Sequence, residues 1–453
     1  MKKTLLLFSI LFSIGLQAQN FWTEVAPFTP AAGFSPKQIS IVSNNVVWVT
    51  GDNTSAPISS KFSRSIDGGL TWQEGAIDLG NPNLAVSAIH ALSASKAFVS
   101  VYSTTTTDFG GVWVTGDSGT TWTKQPTALF NSVDSFANFI YFFDANNGVV
   151  AGDPENGYFE IYTTSDSGAH WVRVPSANIP ALLPGEYGYT LKFEARDNSV
   201  WFGTNEGRLF KSDNKGSNWV AYQSPMSDFD SGDPHSTGDF AFKNQNDGLM
   251  MSENYELWET SSGGATWTPM VLDPGNDNAF NFNIECVPQT NNAYFGWGEH
   301  LQISPTRSST YTLDGGISWN SLYGEEGEVE PLYAKFKSGT VGFCIGYENW
   351  GDANKFYRLT DPLNRLNGGL GTTTFDKEKL RIAPNPTHDF IKIDGKNIQK
   401  VTVTDVQGKL LFTQTYPVSD SISLDLSSFQ NGVYFAKVND NIGNTATLKI
   451  LKN

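Results

Sequence analysis

Short runs of alternating apolar and polar residues, cut by turns rich in Asn, Asp, Ser and Gly, fill the chain from Gln38 onward and predict β-strands. Seven segments share one plan of strand, polar turn and strand: Gln38 to Gly51, Val86 to Val101, Asn138 to Gly152, Tyr189 to Gly203, Asp239 to Ser252, Phe282 to Gly298 and Leu332 to Gly346. Their turns include Ser43-Asn44-Asn45 and Asp144-Ala145-Asn146-Asn147-Gly148. Each hairpin is followed by a third strand that runs into a second kind of turn, and a fourth strand begins at a Trp.

That second turn repeats as S/T-x-D-x-G-x-T-W. Ser65 to Trp72 and Thr115 to Trp122 are complete, carrying Asp67 and Asp117. Thr164 to Trp171 keeps Asp166 and has His170 in place of the second hydroxyl, and Thr312 to Trp319 keeps Asp314 with Ser for Thr. Ser212 to Trp219 replaces the carboxylate with Asn214, and Thr260 to Trp267 replaces it with Ser262. The Asp side chain can accept turn N–H groups and the Gly supplies the positive φ of a tight turn, while the Trp adds a large apolar surface. From Trp72 the steps to Trp122, Trp171, Trp219, Trp267 and Trp319 are 50, 49, 48, 48 and 52 residues, a period that marks repeated supersecondary units.

Four strands per repeat and seven repeats predict an all-β chain whose main body is a seven-bladed β-propeller, a ring that leaves few exposed sheet edges. The last repeat has no Trp: Lys355 to Pro362 reads as a third strand ending in a ruined turn. Trp22 lies 50 residues before Trp72, so the strand starting there is expected to supply the missing fourth strand and close the ring. These turns resemble the Asp-box (BNR) repeat of sialidases, xyloglucanases, sortilin-type receptors and the photosystem II assembly-factor family. In size and evenness of repeat the chain most resembles the assembly-factor propellers, and that resemblance implies a role in binding proteins.

The termini add an address to the ring. Met1-Lys2-Lys3, the apolar run Leu5 to Leu16 and the small-residue site before Gln19 read as a secretory signal peptide over residues 1–18. The ring then spans 19–366, and the Gly/Thr-rich stretch 367–379 reads as a flexible linker. Residues 380–453 alternate as a small β-domain that can fold as an immunoglobulin-like sandwich. Its Pro384-Asn385-Pro386, its Asp405 with Gly408-Lys409, its Gly432-Val433-Tyr434 and its terminal strand with Lys449 resemble the type A sorting domain of type IX secretion substrates. The resemblance implies export to the surface or surroundings of a Gram-negative cell, with the secretion machinery as a partner of this domain.

A formal charge of −16 argues against a nucleic-acid partner, which needs a basic face, and no segment after the signal peptide is long enough to span a membrane as a helix. The mature protein is expected to be a monomer. Cys286 and Cys344 are too few for a disulfide scaffold and sit in apolar runs, so buried free thiols are expected.

Candidate chemistry is expected on the face opposite the Asp-bearing turns, where longer, acidic and aromatic loops gather. Asp230, Glu299 and Glu326 are the candidate acids or bases for glycosidase chemistry, which needs two carboxylates at a set separation. Trp297 and Trp350, out of phase with the repeat, and Tyr323 are candidates for stacking on a ligand, whereas the phased Trp residues are read as core. Asp228, Asp230 and Asp233 have an oxygen-ligand spacing that could hold Ca²⁺, without the glycine and distal Glu of an EF-hand loop. His235 and His300 stand without paired ligands. The sialidase signature is absent: no F/Y-R-I-P motif is present, and Arg64, Arg208 and Arg358 are read as lying toward the box end. The reading is an exported binding or scaffold protein for a protein or glycan ligand, with a glycoside hydrolase as the alternative.

Overall fold

The computed structural model describes residues 20–27, 34–53, 60–132, 134–230, 238–251, 256–270, 280–300, 307–323, 328–348, 355–361, 364–367, 380–406, 409–440 and 445–453. Seven antiparallel four-stranded sheets follow one another. Blade 1 comprises Phe34–Ile41, Val47–Asn53, Ser60–Ser65 and Gln73–Ala76. Blade 2 comprises Leu84–Ala91, Ala97–Ser103, Gly111–Thr115 and Thr123–Lys124, and blades 3 to 6 repeat the order, opening with Ala137–Phe142, Gly188–Arg196, Asp239–Phe242 and Phe280–Cys286. Blade 7 joins Glu330–Ser338, Val341–Tyr347 and Lys355–Leu359 to the N-terminal strand Trp22–Val25, with Trp22 opposite Leu359 and Val25 opposite Phe356. The first strand of each blade packs against those of both neighbours, and blade 7 meets blade 1, so the ring is closed.

Burial follows the strand alternation but does not respect it everywhere. The second strands Val47–Asn53 and Ser199–Thr204 are almost wholly buried because other blades cover both their faces, which is why Val47-Trp48-Val49 and Val200-Trp201-Phe202 are apolar without alternation. Aromatic pairs fill the gaps between blades, such as Trp201 stacked on Phe242 at 4.0 Å and Phe139 on Phe193 at 4.4 Å. Side chains also tie one first strand to the next. The amides of Ile89 and Ala91 donate to Gln38 and Ser40, and the amide of Ile284 donates to Asp239. These bonds satisfy backbone groups that no ladder partner reaches.

The Asp-bearing turns have the predicted chemistry. Asp117 accepts from the backbone N–H of Thr121 at 2.9 Å and from the Thr121 and Thr115 hydroxyls at 2.7 and 2.8 Å, while Gly119 N–H donates to the Thr115 hydroxyl. Gly119 has φ 89°, and a Cβ there would sit 2.0 Å from the Phe62 ring of the preceding blade. Asn214 and Ser262 keep the central bond, each accepting the N–H four residues on at 2.9 Å. Asp361, in the ruined seventh turn, still accepts the N–H of Arg365 and a 2.9 Å bond from its guanidinium. Trp171 packs edge-on against Phe98 and Phe142, and Trp72 against Phe343 and Phe356 of blade 7. The phased Trp residues are therefore packing residues.

The C-terminal domain is a five-stranded sheet of Arg381–Ala383, Phe390–Asp405, Leu410–Asp425, Gly432–Asp440 and Thr445–Lys452. The long strand Phe390–Asp405 changes register between Asp394 and Ile398, which folds the sheet over a core that includes Ile391, Ile393, Val401, Val403 and Ile450. Asn385 grips the last strand from both sides, donating to Lys449 O and accepting from Leu451 N–H at 2.8 Å each. The Asp405 side chain accepts Lys409 N–H, and the Tyr434 hydroxyl donates to Gln430 O. Pro384 and Pro386 flank Asn385, Gly432 pairs with Lys452, and Gly408 lies outside the described residues.

Candidate functional site

Each first strand runs through the ring to its hairpin turn, and the Asp-bearing turn of the same blade hydrogen-bonds to that hairpin. Ser118 N–H donates to Ser95 O, Ser167 N–H to Asn146 O and Gly263 N–H to Asn246 O. Both kinds of turn therefore share one face, as the sequence predicts. A cavity of about 510 Å³ opens at this end of the central channel. Its lining runs from the middle of the first strands into their hairpin turns: Gln38 to Val42, Ala88 to Leu92, Ile140 to Ala145, Phe193 to Arg196, Glu285 with Pro288 and Gln289, and Tyr333 with Lys335 to Lys337.

Four ions lie on its wall. Arg196 contacts Glu194 at 2.5 Å, Lys335 contacts Glu285 at 2.7 Å, and longer contacts of 3.8 and 3.9 Å cross-link the pairs. Arg196 also donates to Ala195 O and Cys286 O. Burial pushes the Glu285 carboxyl up from its ordinary value, while Lys335 beside it opposes the shift. Burial works against the Lys335 charge too, but Glu285 and Glu194 together hold that ammonium well above its ordinary value. Both glutamates are almost completely enclosed. Charges this deep persist only when paired and hydrogen-bonded.

Around the ions the lining is aromatic. The His90 ring meets Tyr141 edge-on at 4.8 Å, and burial with Lys337 nearby pulls its pKa down to about 4, so it is neutral at pH 7. Burial pushes the Tyr333 hydroxyl up to about 12 and also raises Tyr141. The site thus offers neutral donors and ring faces beside an internally balanced ion network.

The sequence-predicted candidates are not brought together here. Trp297 is 3% exposed and packs with Phe295 in the core between blades 6 and 7, so it cannot stack on a ligand; a buried face outside the repeat phase explains its position. Glu299 and His300 belong to the strand Tyr294–His300, where Glu299 pairs with Asn281 and Arg307 instead of lying in a loop. Tyr323 is exposed, beside the strand Asn320–Ser321. Asp230 is half-buried, and its N–H donates to Asp228, whose carboxylate also accepts the Tyr189 hydroxyl. Asp233, His235, Glu326 and Trp350 lie outside the described residues. Among the described residues no group of three or more His, Cys, Asp or Glu is arranged to hold a metal.

Two smaller expectations are resolved. Cys286 and Cys344 are buried free thiols. Arg64 and Arg358 do face the box end, donating to Ala94 O and Gly68 O, but Arg208 begins its strand at the far end and pairs there with Glu186. The sequence reading passed over Glu194, Arg196, Glu285 and Lys335. Their one visible signal was a charged residue inside an apolar first strand, as in Lys192-Phe193-Glu194-Ala195-Arg196.

Residues 381–453 match the family described as "Secretion system C-terminal sorting domain". The C-terminal unit is a sorting domain. A sorting domain of this kind takes the protein out by type IX secretion, to the cell surface or the extracellular space. Among the described residues no helix is long and apolar enough to cross a membrane. Ahead of the sorting domain, the ring is similar to a solved YCF48 bound to D1 peptide, at 15% identity and a TM-score of 0.54 over 76% of this chain and 97% of that one. It is also similar to YCF48 from Cyanidioschyzon merolae, at 14% identity and a TM-score of 0.50 over 75% of this chain and 99% of that one. A Niastella koreensis GH74 enzyme aligns at 12% identity and a TM-score of 0.45, over 92% of this chain and 66% of that one. At such identities the YCF48 likeness shows the fold, a propeller. No curated protein matches the chain.

Proposed function

We propose that the exported ring is a binding or scaffold protein that takes part of a protein or glycan ligand into the hairpin-turn end of its channel. The observation that carries this reading is the state of the charges in the cavity. A glycosidase needs two carboxylates with room for a sugar bond between them. Here the gap between Glu194 and Glu285 holds the Lys335 ammonium, which contacts both. An ion network already balanced within the wall suits a preformed recognition surface, with Tyr141, Tyr333 and His90 supplying ring faces and polar tips. That a propeller of the same fold is solved with a peptide bound is consistent with a polypeptide ligand.

The test is to screen the full chain against glycans and polysaccharides, scoring binding and reducing-end release together, beside a pull-down from the cell surface. Binding that falls at least about tenfold in Tyr333→Ala, the loss of about 1.4 kcal/mol, without any release supports the reading. Release of reducing ends that depends on Asp230, Glu299 or Glu326 would replace it with the hydrolase alternative, acting from the opposite face.

A further inference from the structure

The polar groups on the channel wall divide into those already engaged and those still open. Among the acceptors, Gln38 takes Ile89 N–H while its own amide donates to Ser87 O, and Ser40 takes Ala91 N–H. Asp144, in the blade 3 hairpin turn, accepts the N–H groups of Asn146 and Asn147 and the Lys215 ammonium at 2.7 Å. Glu194 holds Ala195 N–H and Arg196, and Glu285 holds Lys335. The donors stand otherwise. The Tyr141 and Tyr333 hydroxyls, the His90 imidazole and the Lys337 ammonium belong to the same lining, and none has a side-chain hydrogen bond or ion pair among the described residues.

The ions are layered in the same sense. The side chains of Lys335 and Arg196 are 25 and 19% exposed, whereas those of Glu194 and Glu285 are 4 and 6% exposed. Cations therefore stand in front and carboxylates behind. The wall carries Arg196, Lys335 and Lys337 against Glu194 and Glu285, and Asp144 is offset by Lys215, so the positive charge of Lys337 is left over in a chain whose formal charge is −16. That ammonium lies near His90, which is itself neutral. A concave site of this sign, with low-dielectric walls, concentrates its field on an anion.

We infer that the cavity takes a carboxylated sugar, a hexuronate residue of a polysaccharide, with its carboxylate at Lys337 and its hydroxyls on Tyr141, Tyr333 and His90. This rests on the channel being the ligand site and names the class of ligand. A peptide end would also bring a carboxylate, but its backbone N–H groups need acceptors, and those on the wall are engaged. A hexuronate brings a carboxylate and ring oxygens that only accept, and hydroxyls that a Tyr hydroxyl can meet as donor or acceptor. Its apolar ring face can lie against Tyr141 or Tyr333. The cavity volume of about 510 Å³ falls within the range of small-ligand sites, roughly 300–1,000 Å³.

The test is calorimetry of the full chain with trigalacturonate and with a tetrasaccharide containing glucuronate, each beside its methyl ester, and with one peptide bearing a free or an amidated C-terminus. At least one free uronate binds about tenfold or more tighter than its ester, and Lys337→Met erases that preference, the size of effect expected for a hydrogen bond to a charged group. Lys337 has no ion pair among the described residues, so this variant keeps its melting temperature. Tyr333→Phe, which keeps the ring, weakens acid and ester alike by about threefold. Equal affinity for acid and ester, both lost in Tyr333→Ala, would overturn the carboxylate and leave the channel as the ligand site. Uronate binding that ignores both Lys337→Met and Tyr333→Ala would put the site outside the channel and overturn both readings. Binding of neither uronate, or a preference for the free peptide end, overturns the inference as well.

Discussion

In blade 2 the fourth strand Thr123–Lys124 follows the third strand, which ends at Thr115, after only seven residues, Gly116 to Trp122. In blade 7 it arrives from the other end of the chain, and Thr23 meets Thr360 across 337 residues. The two blades reach the same sheet by different physics. Blade 2 has little to close: both residues of its outer strand are exposed, and the turn is held by the Asp117 carboxylate and two hydroxyls. Blade 7 must overcome the entropy of a ring-sized loop, and it does so with apolar surface. Phe21 and Trp22 are 5 and 2% exposed and touch Phe295 of blade 6 and Phe336 of blade 7. Local closure can rest on hydrogen bonds, whereas distant closure here rests on packing.

The largest effect is expected where that packing is removed. Trp22→Ala should cost about 3–5 kcal/mol, the range for a large buried aromatic. Trp122 occupies the matching place in blade 2 but is half-buried, so Trp122→Ala should cost less than half as much by the same cavity argument. Chemical unfolding of both variants decides it, and equal losses would remove the contrast between the blades. Deleting residues 21–25 should do more, since it leaves Lys355–Leu359 as an open edge able to pair with another chain. Concentration-dependent association on mild heating is the expected sign.

Acid should separate the turns from the channel. Hydrogen bonds from Thr71 hold the Asp67 carboxyl down to about 2, and bonds from His170 hold Asp166 at about 2. Their stabilisation is fully present above the ordinary value of 3.8 and is lost as pH falls through about 2. His90 acts at higher pH. Its folded pKa of about 4 lies below the ordinary 6.5, so the unfolded chain binds the proton first and stability declines as pH falls from 6.5 to 4. Burial has the reverse consequence for Asp153, raised to about 6: its ionisation weakens the fold as pH rises from 3.8 to 6. Stability of His90→Phe against the parent should therefore differ in pH slope between 4 and 6.5 and coincide in slope below 4. Parallel curves throughout would show that His90 is not desolvated in the channel.

The same contrast explains what the sequence disclosed. The repeat, the ring of seven and the closure by Trp22 were legible because each depends on a periodic feature or on its interruption. The turn carboxylates were legible because their bonds are local, spanning four residues. The channel was not. Glu194 and Glu285 belong to different blades, and no spacing in the chain announces that Lys335, from a third, lies between them. Trp297 misled for a related reason: being out of phase with the boxes marked it as distinctive, but its neighbours Phe295 and Trp22 come from packing that the period does not encode. Sorting-domain residues such as Asn385 were legible as a motif, and the structure gives that motif a physical task in pinning the last strand.

The smallest effect is also the sharpest probe of local closure. Blade 5 has Ser262 where four turns have Asp, yet the neighbouring groups remain in place: Thr266 N–H lies 2.9 Å from the Ser262 hydroxyl, and the Thr266 and Thr260 hydroxyls lie 2.8 and 3.3 Å away. Ser262→Asp should let one carboxylate oxygen take the N–H and the other the Thr266 hydroxyl, as Asp117 does with Thr121. Charge-assisted bonds exceed neutral ones, and restoring a consensus residue commonly gains about 0.5–2 kcal/mol. The gain here should sit at the low end, because Ser262 already holds the Thr266 N–H and hydroxyl. It should also vanish below the carboxyl's own titration, so the melting temperature of the variant would exceed the parent's at pH 7 and converge with it near pH 2. A gain that survived protonation would mean that the added side chain acts by packing, and that the carboxylate is not what holds these turns.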